Sequence, residues 1–301
     1  VSSLLGTILE RDGAVYRVAT PEGEIRAVLR GKVKRETPRL VVGDRVRLEP
    51  DPAGELHGIL ALEPRRSLLE RRVPQGRGAR PVAANIDQVF VVTASAQPAP
   101  VPQLIDRLLV VAEANEIAAA VVVNKADLDP GAWLVDRFRR AGYRVFLTSV
   151  PLGRGTAEFA AALAGRTSVV TGPSGVGKSS LLNAVQPGLA LRTGEVSARV
   201  GRGKNTTVGA VMIPLAAGGF LVDTPGFSEV GLWAIDPREL GSCFPEFRPC
   251  LGQCRYADCR HAGEPGCRVA AAMEAGEIAP DRLESYRVLL AELEGEPKEW
   301  E

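Results

Sequence analysis

Chemistry is written most plainly at Gly172-Pro173-Ser174-Gly175-Val176-Gly177-Lys178-Ser179-Ser180, a glycine-rich turn with the spacing G-x4-G-K-S. Residues without a Cβ can take the φ values that turn successive backbone N–H groups inward, which makes a cradle for phosphate oxygens from Gly172 to Ser180. In such a loop Lys178 reaches the β- and γ-phosphates and the Ser179 hydroxyl is a ligand for Mg²⁺. Residues 167–171 before the turn are β-prone and residues 181–185 after it are helix-prone. The helix therefore points its positive end at the same anion.

A second group lies upstream. Asn124-Lys125-Ala126-Asp127 follows directly on the apolar run at 118–123. A carboxylate at Asp127 accepts from both the ring N–H and the exocyclic amine of guanine, whereas adenine would leave that charge unpaired. Asn124 would hold the loop and the base edge, and the Lys125 stem would lie along the ring. Thr148-Ser149, followed by Gly153 and Gly155, suits either a further guanine-contacting loop whose backbone N–H reads the base oxygen or a plain turn. Downstream, Gly201-Arg202-Gly203-Lys204-Asn205-Thr206-Thr207 offers hydroxyls for Mg²⁺. Asp223-Thr224-Pro225-Gly226 then follows a short strand, so that Asp223 would hold Mg²⁺ through water and the Gly226 N–H would sense the γ-phosphate. Alone, Asp-x-x-Gly is a simple turn; with its neighbours it completes a GTP site.

The order of these parts is rotated. Ordinary GTPases place the phosphate loop first and the guanine reader last, yet here Asn124–Asp127 and Ser149 precede Gly172, Thr207 and Asp223. The segment from Asp223 onward thus leads straight into a cysteine-rich tail. There Cys254-x4-Cys259-x-His261-x5-Cys267 brings three thiolates and an imidazole into a short span, the soft ligand set of a closed tetrahedral Zn²⁺ site. Cys243 and Cys250 could compete as ligands, since Cys250-x3-Cys254 leaves the register open. Four filled positions leave none for a substrate, so the zinc would be structural.

Three kinds of element must position these groups. Residues 1–72 read as about five short strands separated by turns, with Asp12-Gly13 as a hairpin signal, and an OB-type barrel is the economical closure. Tyr16 is the one aromatic residue in that span, while Arg26, Arg30, Lys32, Lys34, Arg35 and Arg39 cluster around one strand and its loop; this favours phosphate and shape contacts with nucleic acid over base stacking. Residues 65–81 look like a basic, flexible link, either solvated or touching RNA. Residues 73–231 then alternate buried strands and helices in an α/β domain whose ligands sit beyond the strand carboxyl ends. Residues 232–301 hold the zinc ligands and helices at 268–275 and 281–294, the latter with Leu283, Tyr286, Leu289, Leu290 and Leu293 on one face. The net charge of +1 excludes a uniformly basic nucleic-acid binder. The absence of a secretory start or a long apolar run makes a soluble, cytoplasmic protein the expectation.

With the barrel, the rotated motifs, Phe244-Pro245-Glu246-Phe247 and the Cys/His cluster together, nearly the whole chain resembles the RsgA (YjeQ/EngC) family of circularly permuted, ribosome small-subunit-dependent GTPases. The resemblance implies an OB barrel, a permuted P-loop GTPase domain and an α-rich zinc domain, in a factor that binds the small ribosomal subunit late in assembly and hydrolyses GTP there. It implies rRNA contacts from the flanking domains, zinc on Cys254, Cys259, His261 and Cys267, and Thr206 and Thr207 in the first switch; we expect a monomer. Two positions bear on catalysis. Phe227 stands where many GTPases place the water-orienting glutamine, and Asn205 stands where the family commonly has a histidine with a catalytic role. Asparagine orients water but shuttles no proton at neutral pH, so either its role is positional or this chain is a slow, engineered or substituted variant. Lys178, Asn205, Thr207 and Gly226 are the expected catalytic set, and an RNA-binding adaptor with an occupied but idle nucleotide site is the rival reading.

Overall fold

The computed structural model describes residues 4–30, 38–51, 55–72, 79–189, 210–223 and 235–295. In chain order its strands begin with β1 (Leu4–Asp12), β2 (Val15–Thr20), β3 (Gly23–Leu29), β4 (Arg45–Glu49), β5 (His57–Leu62), β6 (Leu68–Arg72) and β7 (Ala79–Ala84). Strands and helices then alternate as β8 (Gln88–Ala94), α1 (Pro102–Ala114), β9 (Ala118–Asn124), α2 (Ala132–Arg140), β10 (Arg144–Leu147), α3 (Thr156–Leu163), β11 (Arg166–Thr171) and α4 (Lys178–Val185). After β12 (Val211–Pro214) and β13 (Gly219–Asp223) come two 3-10 turns, Leu240–Cys243 and Pro245–Cys250, and the helices α5 (Arg268–Glu274) and α6 (Pro280–Glu294). The chain divides into two compact units: Val1–Gln88 with Ala161–Val170 and Gln186–Glu229, and Val89–Ala160 with Thr171–Val185 and Val230–Glu301.

In the first unit a closed barrel runs β1-β2-β3-β5-β4. The β3–β5 pair is parallel, and β4 returns antiparallel to both β5 and β1. The hairpin at Gly13 works because that residue has φ 58°, which a side chain resists. Strict alternation in β4 turns Val46 and Leu48 inward and Arg45, Arg47 and Glu49 outward. Tyr16 packs in the barrel core with Ile8, Val18, Leu40 and Ile59. The one aromatic ring of residues 1–72 is therefore not a stacking platform. Lys32, Lys34 and Arg35 lie outside the described residues.

The described residues of this span, 65–72 and 79–81, differ from the expected loose link. β6 and β7 pair antiparallel, Leu69 is fully buried, and Ala83 and Ala84 just beyond are buried with it. Arg65 grips the fully buried Asp44 with two hydrogen bonds of 2.7 and 2.8 Å, and Asn85 donates to Gly43 O at 2.8 Å. A Cβ on Gly43 would fall 2.0 Å from Ala84 O, so the ribbon lies hard against the β4 approach. The density of arginines had concealed these apolar positions. In the same unit β11 runs parallel to β13, and β12 is antiparallel to β13.

The second unit carries β10, β9 and β8 side by side, with β9 and β10 parallel. β8 is buried along its whole length, as expected of a strand covered on both faces. Phe90, Phe146 and Phe159 meet edge to face with centroids 5.0–6.1 Å apart. The C-terminal segment packs Leu240, Phe244, Phe247, Val269, Leu283, Tyr286, Leu289 and Leu290 into one core with Val110 of α1.

Candidate nucleotide and metal sites

The chain leaves β11 at Thr171 and turns through three glycines with positive φ: Gly172 (138°), Gly175 (79°) and Gly177 (92°). Two of them admit no side chain. A Cβ on Gly172 would lie 2.0 Å from Val92 O, and one on Gly177 would lie 2.4 Å from Asn124 Nδ2. Lys178 opens α4, and its Nζ donates to Gly172 O and Pro173 O at 2.7 Å each. Burial lowers the pKa of this half-buried amine. Ser174, Gly175, Ser179 and Ser180 are exposed on the loop, while Val176 is buried beneath it.

The base-reading group meets this loop directly. Asn124 ends β9 at 2% exposure, accepts from Thr148 Oγ1 at 2.9 Å and donates through Nδ2 to Val176 O at 3.0 Å. Lys125 donates through Nζ to Gly175 O at 2.7 Å and to Gln97 O. The ammonium therefore sits on the rim of the phosphate loop. Asp127 is exposed, and one of its oxygens accepts from Ser149 Oγ at 2.5 Å. The backbone N–H of Ser149 pairs with Arg154 O at 3.0 Å, and the reciprocal bond returns at 3.0 Å. Ser149 contributes through its hydroxyl. Ser95, which no motif spacing singles out, donates its hydroxyl to Lys125 O at 2.7 Å; its signal in the sequence is a polar residue immediately after a wholly apolar buried strand.

Asp223 ends β13, opposite Val211 of β12, and β13 is the partner of the strand that feeds the glycine loop. Asn205, Thr206, Thr207 and Gly226 lie outside the described residues.

In the C-terminal segment the ligand atoms of Cys254, Cys259, His261 and Cys267 all lie within 4.8 Å of one another, the one such group among the described residues. His261 Nδ1 stands 3.5, 3.6 and 3.4 Å from the three sulfurs. A tetrahedral ion with metal–sulfur bonds of about 2.3 Å and a metal–nitrogen bond of about 2.0–2.1 Å puts sulfur and nitrogen about 3.6 Å apart, so the donors fit a metal. Burial lowers the His261 pKa and favours the neutral ring that ligates. Backbone N–H groups of Arg268 and Ala270 reach Cys254 Sγ and Cys267 Sγ at 3.3 and 3.5 Å. Burial alone would raise Glu264, yet backbone N–H bonds, among them those of Arg260, Gly263 and Ala262, bring it down to about 2. That carboxylate staples the ligand loop. Cys243 and Cys250 are buried in the adjoining core and stand outside the cluster; burial pushes the Cys243 thiol up to about 11.

Residues 62–233 match the family model described as RsgA GTPase. The chain is 49% identical over 303 residues to the small ribosomal subunit biogenesis GTPase RsgA of Gemmatimonas aurantiaca, covering 98% of this chain and 99% of that one. The chain belongs to the RsgA GTPase family. Its RsgA relative in Moorella thermoacetica is 47% identical over 96% of this chain and 97% of that protein. The crystal structure of YjeQ from Thermotoga maritima superposes with a TM-score of 0.81 at 35% identity, covering 98% of this chain and all of that one. That of YloQ, described as a circularly permuted GTPase, gives 0.77 at 27% identity over 99% and 97% of the two chains. The rotated motif order is thus the order of an RsgA-type GTPase, and the activity of the chain is GTP hydrolysis.

Proposed function

We propose that this GTPase is an assembly factor for the small ribosomal subunit, binding the subunit with GTP and leaving on hydrolysis. The observation that carries the reading is the grip of the base loop on the phosphate loop, Asn124 on Val176 O and Lys125 on Gly175 O, which joins a guanine reader to a phosphate nest despite their rotated order. The names of the relatives supply the subunit. The parts are an N-terminal domain to residue 72 whose OB-type barrel meets rRNA, a permuted GTPase domain at 73–231 and a metal-binding domain at 232–301. Factor and subunit meet in the cytoplasm, the factor as a monomer; among the described residues no helix is long and apolar enough to cross a membrane.

In this reading Asp127 pairs with the guanine edge while Ser149 Oγ fixes its carboxylate. Gly172 to Ser180 wrap the phosphates, and the Lys178 ammonium donates hydrogen bonds to the β- and γ-oxygens. Ser179, Thr207 and Asp223 would hold Mg²⁺, which neutralises charge on the transferring phosphoryl group. Thr206 and Thr207 would belong to the first switch, the Gly226 N–H would sense the γ-phosphate, and Asn205 would orient the attacking water without taking its proton. Cys254, Cys259, His261 and Cys267 would hold a structural Zn²⁺, a choice supported by the three-sulfur, one-nitrogen donor set.

Phosphate release measured with and without purified small subunits tests the proposal. Acceleration by the subunit is expected, and the same turnover in both arms would overturn it. Co-sedimentation should depend on GTP and weaken steeply as salt rises, as phosphate-dominated contacts do.

A further inference from the structure

Lys125 is a non-glycine residue with left-handed backbone, φ 62°. A side chain holds that conformation only where its surroundings over-determine it. Ser95 does much of the holding. Its N–H donates to Asn124 O at 2.8 Å and its hydroxyl to Lys125 O at 2.7 Å, so one residue clamps the two carbonyls that flank the Lys125 Cα. The Leu128 N–H closes the turn on Lys125 O at 2.9 Å. Ser95 is 4% exposed and closely packed: a Cβ on Gly131 would lie 3.3 Å from its own Cβ. A lost hydroxyl could not be replaced by bulk water there.

The consequence runs outward to both side chains. With both carbonyls held, Asn124 Nδ2 falls on Val176 O and Lys125 Nζ on Gly175 O, and Asp127 two residues on meets Ser149. We propose that Ser95 is a positioning residue for guanine recognition, acting through the Asn124 and Lys125 carbonyls that it clamps at the end of β9. The inference rests on the assignment of Asn124 to Asp127 as the guanine reader. Ser95 touches neither base nor phosphate in this scheme, so its loss weakens purine recognition and leaves the hydrolytic step alone.

The test compares Ser95→Ala, Ser95→Cys and Asp127→Asn in the full chain. Dissociation constants for GDP and ADP are measured by calorimetry, and kcat and KM for GTP with small subunits. Removing one buried hydrogen bond should weaken GDP about fivefold to tenfold in both Ser95 variants, with KM rising by the same factor and kcat within about twofold. The affinity for ADP should not move, so the GDP-to-ADP ratio shrinks. Ser95→Cys keeps the shape but not the strong donor; GDP binding by that variant as tight as by the parent overturns the role of the hydroxyl. A fall in kcat with KM unchanged, or equal losses for GDP and ADP, also overturns the proposal. Should Asp127→Asn weaken GDP while both Ser95 variants bind normally, this inference alone fails. Should Asp127→Asn leave GDP untouched as well, the guanine reading fails and takes the inference with it.

Discussion

The sharpest energetic prediction concerns Arg282, which lies on α6 at 1% exposure and holds two carboxylates. Its Nη1 donates to Asp106 of α1 at 2.6 Å, and its Nε and Nη2 donate to Glu246 at 2.5 and 3.1 Å. Asp106 is fully buried and also receives both Arg137 terminal nitrogens from α2 at 2.8 Å. Arg282→Met removes one cation from between two buried anions. Breaking such a pair costs about 3–5 kcal/mol, because the charge left behind has no partner. Asp106 keeps both Arg137 bonds, so the low end, about 3 kcal/mol, is expected, or roughly 6–12 °C in Tm. The pH dependence has a definite sign. Burial alone would raise the Asp106 carboxyl, but Arg282 and Arg137 overcome it and hold the pKa below the ordinary range. A depressed acid contributes stability that is present above the unfolded value, about 3.9, and is lost as pH falls through the lower folded value. Thermal unfolding followed by circular dichroism should therefore show a flat Tm from pH 7 to 5 in the parent and the full loss in Arg282→Met at both values. A fall under about 2 °C would refute the claim that these buried charges are coupled as described.

Three further outcomes are expected. Gly172→Ala should abolish GDP binding in calorimetry while metal content stays at the parent level, since its Cβ would stand 2.0 Å from Val92 O at φ 138°, far from the Cys/His cluster in sequence. Elemental analysis should find about one zinc per chain, and Cys259→Ser should lower that occupancy and the Tm together, as expected where metal binding is part of folding. Asn205→His should raise subunit-stimulated kcat and add a rise in rate with pH near the ordinary histidine pKa of about 6.5; an unchanged pH–rate profile would remove proton shuttling from the differences between these side chains.

Much of the barrel was legible because hairpin chemistry and alternation are local signals. Asp12-Gly13 and the in-out order of Arg45 to Glu49 need no tertiary knowledge. The α2 helix carries a weak local signal for a physical reason: its N-cap Gly131 offers no side-chain cap, and its buried set is Leu134, Arg137 and Phe138, so a buried arginine breaks the apolar stripe. α3 hides among alanines, with Phe159 and Leu163 as its large buried residues, and β12 is four residues ending in proline. At the site, the glycine loop and Asn124–Asp127 were readable because their chemistry dictates residue types at fixed spacing. Ser95 and the backbone pairing of Ser149 with Arg154 were not, because hydrogen bonds to backbone carbonyls constrain residue type weakly. The same holds for Asp106. On α1 it looks like the polar face of an amphipathic helix, and only the packing of α6 turns it into the most enclosed carboxylate of the second unit's charge cluster.

Lys178 links the phosphate loop to solution pH in a way that its surroundings determine. Burial disfavours the charged amine and lowers its pKa, although Gly172 O and Pro173 O each accept a hydrogen bond from it at 2.7 Å. Phosphate oxygens select the ammonium form, so nucleotide binding must raise that pKa again. The two pKa values differ, and binding in the window between them takes up a proton. The sign is fixed: GDP affinity is full at neutral pH and declines as pH rises through the lowered value of the free chain, earlier than an exposed lysine with a pKa of about 10.4 would allow. Calorimetry in buffers of different ionisation enthalpy should detect proton uptake on the alkaline side and none at pH 7. Proton release on binding, or an affinity that holds until pH 10.4, would mean that the Lys178 amine is not desolvated by the loop that surrounds it. Its role would then reduce to a solvent-facing charge.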